Sequence, residues 1–322
     1  MKNALKKSLC VALAGVIALF ALVGCGEAKS DDTFTVGICQ LVQHPALDAA
    51  TQGFKEALVE KLGDKVVFDE QNASGEATNC TTIVSKFVSD KVDLIMANAT
   101  DAMAAASQAT DTIPVVATSI TDYATALGIT DWTGATGFNV TGTSDLAPLS
   151  EQAAMIKELV PDAKTVGIIY CSAEKNSKYQ ADVMTAELAK LGIEAKEFTF
   201  VDTNDVSAVT TQAVSECDAL FAPTDNTLAS NAAAVNNITE PAKIPVIAGE
   251  AGICTGCGIA TLSISYYDIG YKAGEMAYEI LANGADPAQM PIEYAKDPVK
   301  QYVPERAEAI GLAIPEGYEP IA

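Results

Sequence analysis

The chain has 322 residues, 42 of them acidic and 20 basic, for a formal net charge of −22. So acidic a balance excludes nucleic acid as a partner, because that partner requires a basic surface. A single arginine, Arg306, and a single histidine, His44, leave no second guanidinium to clamp an anion and no support for a Ser-His-Asp arrangement.

In chain order, Lys2, Lys6 and Lys7 precede an apolar run over 8–24, the layout of a secretory signal peptide. The run is barely long enough for a bilayer span of about 20 residues, so a permanent anchor is the alternative. Leu22-Val23-Gly24-Cys25 resembles the bacterial lipobox. That resemblance implies cleavage before Cys25, lipid on its sulfur, and a short tether over 25–32. Acyl chains hold a protein by burying methylenes, at about 0.8 kcal/mol each. Loss of 1–24 removes three lysines and no acids, leaving 17 basic residues against 42 acidic ones, a net −25. No later segment is predicted to span a membrane. About 290 residues remain, enough for two lobes with a sizeable core.

After the tether, strands and helices alternate. TFTVGICQL (33–41) reads as a strand and ALDAATQGFKEALVEKLG (46–63) as a helix, with Leu47, Ala50, Phe54 and Leu58 at helical spacing. KVVFDEQ, helical EATNCTTIVSKFVSDK, the strand VDLIMAN, a short helix from Asp101 and the strand IPVVATS follow. The order then restarts. GATGFNV (134–140) leads through TGTSD into helical LAPLSEQAAMIKELVP. Strands TVGIIYCS, IEAKEFTFV, CDALFAPT, IPVIAGE and GIATLSIS alternate with helices KNSKYQADVMTAELAKLG, DVSAVTTQAVSE and NTLASNAAAVNN. A strongly helical YYDIGYKAGEMAYEILANG comes next, and the tail from PIEYAKDPV onward reads as irregular. Short βα turns and buried apolar strands indicate parallel sheets with helices on both faces. The fold class is therefore α/β, with two doubly wound lobes. Ligands in such sheets bind beyond the strand carboxyl ends, so two facing lobes make a cleft that a hinge can close.

Beyond Cys10 and Cys25 the chain carries Cys39, Cys80, Cys171, Cys217, Cys254 and Cys257. Cys39, Cys171 and Cys217 sit at or beside strands, where free cysteine is a common small hydrophobe. Cys254-Thr-Gly-Cys257 is a lone CxxC, open to a local disulfide or half a zinc site. No second CxxC accompanies it, so free thiols rank first and neither a metal nor a cofactor is expected.

The lipobox, VGICQLVQHPALDAATQGFKEAL, TGTSDLAPLSEQ, IKELVPDAKTVGIIYCSAEKNS, APTDNTLAS and IATLSISYYDIGYKAGEMA together resemble the tryptophan/tyrosine-type substrate-binding lipoproteins of ABC importers, over nearly the whole mature chain. The pattern departs from that family around GEAGICTGCGIA. The resemblance implies a type I periplasmic-binding-protein fold with a three-segment hinge, no catalysis, and an aromatic amino acid as ligand. It further implies an extracytoplasmic, lipid-anchored monomer that serves an ABC permease. Lobe one would comprise 33–141 plus 265–291, and lobe two 142–264 plus 292–322. A surface hydrolase on this scaffold lacks support, since no GxSxG, HExxH or P-loop occurs. A receptor, sensor or importer component for a nucleoside or sugar stays open, because fold alone does not fix the ligand.

Polar residues just past the strand ends are the candidate ligand contacts. In lobe one these are Gln40, then Asn98 and Thr100, then Thr118 and Ser119. Hydroxyls and N–H donors at helix N-termini there suit a carboxylate; the bland alternative is helix capping by Thr100, Asp101, Thr121 or Asp122. In lobe two they are Ser172, Asn176, Asp225, Asn226 and Glu250. Asp225 and Glu250 are candidate partners for an ammonium, against readings as a helix cap and a solvated acid. Tyr267 is singled out as an aromatic wall, while Trp132, Phe138, Tyr170, Phe221 and Tyr266 read first as packing residues. Asp145 and His44 read as structural, Asp145 as a helix cap.

Overall fold

A computed structural model of the protein describes residues 33–321. The signal segment 1–24, Cys25 and the tether 25–32 lie outside the described residues. Strands β1 to β13 run Phe34–Gln40, Val66–Asn72, Leu94–Asn98, Val115–Ile120, Val140–Ser144, Thr165–Cys171, Glu194–Phe200, Ala219–Ala222, Val246–Ala248, Ala260–Ser263, Glu293–Tyr294, Val299–Tyr302 and Glu319–Pro320. They form two sheets, ordered β11-β5-β4-β3-β1-β2 and β13-β12-β10-β9-β8-β6-β7. The first is parallel throughout, and the second has one antiparallel pair, β10 with β12.

Successive strand residues point to opposite faces, and each sheet is covered on both. In the first, Val36, Ile38 and Met96 meet Phe54, Leu58, Met276 and Ile280 on one face. Cys39, Ile95 and Ala97 meet Phe87 and Met103 on the other. In the second, Val166, Ile168 and Tyr170 pack with Ile156, Met184 and Leu188, while Ile169, Leu220 and Ala222 pack with Ala213 and Val235. Central strands β3 and β4 are buried at every position, whereas in edge strand β2 only Val66 is buried and the sequence VVFDEQN turns polar after Phe68. Among the described residues no helix is long and apolar enough to cross a membrane.

The chain crosses between sheets after β5, between β10 and the helix Tyr266–Asn283, and between β11 and β12. Tyr266–Asn283 returns to the first lobe and lies against the helix Pro45–Leu62. A Cβ on Gly270 would stand 2.0 Å from the Ala50 carbonyl oxygen, and one on Gly53 would stand 2.2 Å from that of Tyr267. Glycine is required at this crossing because the backbones touch.

Three expectations need correcting. The strand expected over 134–140 begins only at Val140, because Gly134 and Gly137 take positive φ and Thr136 donates its hydroxyl back to the Val140 carbonyl at 2.5 Å. The lobe boundaries at 141/142 and 291/292 fall too early. The first cuts β5, and the second leaves out β11, which pairs with β5. The tail is not irregular: it carries β12, β13 and the helix Pro304–Ile310. The CTGC segment, to which the sequence assigned no element, is the end of a helix, Ala251–Cys257. Arg306 caps it by donating to the carbonyls of Cys254 (2.7 Å), Thr255 (2.9 Å) and Gly258. The six cysteines of the described chain are free and buried.

Candidate functional site

The two lobes meet at the carboxyl ends of their strands. His44 Nε2 lies 3.2 Å from Asn226 Oδ1 across the cleft. The Asn226 amide nitrogen donates to Glu174, so its oxygen is the acceptor and His44 carries its proton on Nε2. Thr121 and Thr224 hydroxyls stand 3.4 Å apart, with Gln180 donating to Thr224 at 2.6 Å. Between these contacts the lobes leave a cavity of about 10 Å³, room for about one water, so a ligand the size of an amino acid enters only when the lobes move apart.

Lobe one contributes His44, Leu47, Ser119, Thr121 and Asp145 to the lining, and lobe two contributes Asn176, Thr224, Asp225, Asn226, Ala229, Glu250 and Ile253; Tyr266 closes it at the second crossing. Ser119 sits where the β4–β5 register shifts between Ala117 and Ile120, with φ 58°. A non-glycine residue held there costs about 1–3 kcal/mol and persists only under external constraint. Its hydroxyl is buried and makes no hydrogen bond within the protein, and neither does His44 Nδ1. Burial holds the His44 pKa below the ordinary histidine value, so the ring is neutral.

The acids divide by what they accept. Asp225 takes the Cys171 N–H and the Ser177 hydroxyl on one oxygen, both at 2.7 Å, and the Leu228 N–H at 2.7 Å on the other. Burial, then the nearby Glu174, push its pKa well up. Glu250 caps its helix through the Gly252 N–H (2.5 Å) and the Ile253 N–H; burial raises its pKa to about 7. Asp145 receives the Tyr266 hydroxyl at 2.7 Å and the Thr121 hydroxyl at 3.1 Å, and burial raises its pKa too. It is not a helix cap: the helix Leu149–Leu159 has Pro148 at that position.

Of the residues expected from sequence, Ser119, Asn176, Asp225, Asn226 and Glu250 line the cavity. The others do not. Gln40 is held inside lobe one by Val42, Asp48 and Thr51. Asn98 donates to the Leu47 carbonyl and Thr51, and Thr118 accepts from Thr143. Thr100 is buried in the first turn of its helix. Ser172 turns outward to the Phe200 carbonyl. Tyr267 donates to Glu56 on the outer face and borders a wider, open groove of about 790 Å³ along the crossings. That groove is larger, but the cavity between the lobes holds the convergent polar groups. Glu250 and Tyr266 form the wall between the two.

Sequence reasoning passed over His44, Thr121, Asp145, Glu174 and Tyr266. Asp122, not Thr121, caps the helix Tyr123–Leu127, which leaves Thr121 free to face the cleft. Glu174 accepts both Asn226 nitrogens and the Thr227 N–H and hydroxyl. Its one local signal was an acid just ahead of a helix. Among the described residues no group of three His, Cys, Asp or Glu side chains is placed to hold a metal ion.

The profile of the family described as ABC transporter substrate binding protein matches residues 35–317. A tyrosine-binding protein of Clostridioides difficile (strain R20291) is 38% identical over 291 residues, covering 86% of this chain and 84% of that one. The ABC domain from Streptococcus pneumonia in complex with L-Trp is 31% identical, covers 90% of this chain and 100% of its own, and superposes with TM-score 0.85. A ligand-free, open substrate-binding protein with adhesive properties from Clostridium difficile is 36% identical over 90% of this chain and 99% of its own, yet its TM-score is 0.69. The chain thus follows the tryptophan complex more closely than the open structure, in keeping with lobes that meet across the cleft.

Proposed function

The chain belongs to the ABC transporter substrate-binding protein family, and from that premise we propose that its cleft captures an aromatic amino acid and delivers it to a membrane permease. It is a binding protein and not an enzyme. In the proposed setting it works outside the cytoplasm as a monomer, tethered through lipid on Cys25.

The observation that carries this reading is the division of the cavity into an acidic end, a lone hydroxyl and an apolar wall. Asp145 and Glu250 suit an ammonium. The unpartnered Ser119 hydroxyl suits the carboxylate, which finds no lysine or arginine in the lining. Leu47, Ala229 and Ile253 offer a ring apolar contact once the lobes part to admit it. The tyrosine and tryptophan named for two relatives support this ligand class. A lipid tether keeps a soluble trap close to its transporter, and a Cys25→Ser chain released into the medium is the expected sign of it.

The test is calorimetry on the chain from Ser30 onward, unfolded and refolded to strip ligand, against the twenty amino acids, nucleosides and common sugars. A ligand at a thousandfold its Kd stabilises the fold by about 4 kcal/mol. Hits confined to Trp, Tyr or Phe are expected. A sugar or nucleoside as the sole hit would refute the amino-acid reading and leave the nucleoside or sugar alternative.

A further inference from the structure

Six thiols lie buried in the described chain, and capture of a ligand in the cleft makes no use of them. Two of them meet inside the first lobe. Cys39 is on β1 and Cys80 is in the opening turn of the helix Ala77–Asp90. Both are fully buried, in one apolar cluster with Val84 and Phe87. The segment between β2 and this helix fixes their register. The Ala73 N–H donates to the Gln40 carbonyl at 2.9 Å, and the Gly75 N–H to that of Leu41 at 2.8 Å, so the helix starts over the end of β1 and runs back along it. Cys80, Val84 and Phe87 are its buried stripe, at the i, i+4, i+7 spacing of one face. Phe87 lies on Gly37, where a Cβ would stand 2.6 Å from the ring. Two residues further along the strand, Cys39 meets Cys80, and the two thiols hydrogen-bond each other.

The helix that carries Cys80 begins weakly. Glu76, at its N-cap, makes no side-chain capping bond. Thr78, Asn79, Thr81 and Thr82 have low helix propensity, and the Thr81 and Thr82 hydroxyls turn back to the Ala77 and Thr78 carbonyls. Residues 77–79 are exposed, which makes Cys80 the first buried anchor of the helix.

We propose that Cys39 and Cys80 are a site of oxidative modification, closing outside the cytoplasm to a disulfide that staples the start of this helix to β1. The inference rests on the extracytoplasmic setting proposed above and is independent of the ligand. Disulfides form and persist in such compartments, and the pair stands here in its dithiol form. The oxidant is a disulfide, carried by a thiol oxidoreductase or a small thiol. One cysteine thiolate attacks a sulfur of that S–S bond, giving a mixed disulfide and releasing one thiolate; the second cysteine thiolate attacks the mixed disulfide at the protein sulfur and releases the other. The two cysteines lose two electrons and two protons, and the oxidant gains both as two thiols. Since neither thiol is exposed in the folded lobe, the exchange runs while the poorly capped start of the helix is open.

The experiment refolds the reduced chain from Ser30 onward with reduced glutathione alone, or with a mixture of reduced and oxidised glutathione. Alkylation after unfolding should count six thiols in the first product and four in the second, and a peptide map should join Cys39 to Cys80. The unfolding constant in urea should be lower in the oxidised product by about 30-fold or more, the low end for a natural cross-link. Cys80→Ala should show no difference between the two buffers; the wild-type map stands without it should that variant fail to fold. Six thiols after refolding with oxidised glutathione, a map joining Cys254 to Cys257 instead, or equal stability of the two products would overturn the staple. Those results arise in any buffer and leave the extracytoplasmic reading standing. Cell fractionation that places the chain in the cytoplasm overturns that reading, and formation of the staple in the cell with it.

Discussion

Replacing Asp225 with alanine should cost stability rather than selectivity. Asp225 is 1% exposed and satisfies three donors, the Cys171 N–H, the Ser177 hydroxyl and the Leu228 N–H. Alanine leaves all three without a partner, and each orphaned buried donor costs about 1–3 kcal/mol. Against that, the change removes a buried acid disfavoured by desolvation and by Glu174, and some donors will reach water through the cavity. The net expectation is a loss of about 3–5 kcal/mol, well beyond the roughly 1 kcal/mol of an ordinary N-cap deletion and a large share of a typical stability of about 5–15 kcal/mol. Asp225→Asn keeps one acceptor oxygen and should lose less. Urea unfolding of wild type and both variants at pH 7, without ligand, measures the differences. A loss under about 1 kcal/mol for Asp225→Ala would show that the loops after β6 and β8 do not depend on this carboxylate, and the argument that it is fully engaged would fail.

Two further outcomes are expected. With the Glu250 pKa raised from 4.5 to about 7, the folded protein binds a proton that the unfolded chain does not; stability is therefore fully gained below about pH 4.5 and lost as pH rises through about 7, by up to about 3 kcal/mol. Asp145 acts with the same sign, while Tyr266 stays protonated beside both because its pKa is raised. The urea midpoint between pH 5 and pH 8 should thus move less in Glu250→Gln than in wild type, and equal slopes would rule out this role. The six buried thiols should resist iodoacetamide in the native protein and react on unfolding, since burial pushes Cys217 up to about 11 and Cys257 up to about 12. Rapid native labelling of Cys254 or Cys257 would contradict their burial in the helix Ala251–Cys257.

Chain position after a strand told which end of a sheet a residue occupies, and no more. Gln40 and Asn98 stand at the right end, but their side chains turn beneath the cavity to Thr51. Tyr266 and Tyr267 are neighbours on a helix, and about 100° of rotation per residue sends one to Asp145 and the other to Glu56 on the outer face. The CTGC helix and the tail gave no usable pattern for a different reason. Their seven- and four-residue elements are too short to show periodicity, and they rely on Arg306 and on the edge of β10 brought from elsewhere.

The alternation of apolar strands with amphipathic helices, the parallel sheets and the two-lobe plan were determined by the sequence itself, because each such pattern is complete within about ten neighbouring residues. Which acid retains room for a ligand was decided only by tertiary structure. Asp145 and Asp225 look alike as strand-end carboxylates. They differ because Asp225 meets rigid N–H groups of its own lobe, while Asp145 meets a tyrosine hydroxyl 121 residues away in the chain. Hydrogen-bond capacity is exhausted or preserved by such distant donors, and no local pattern records them.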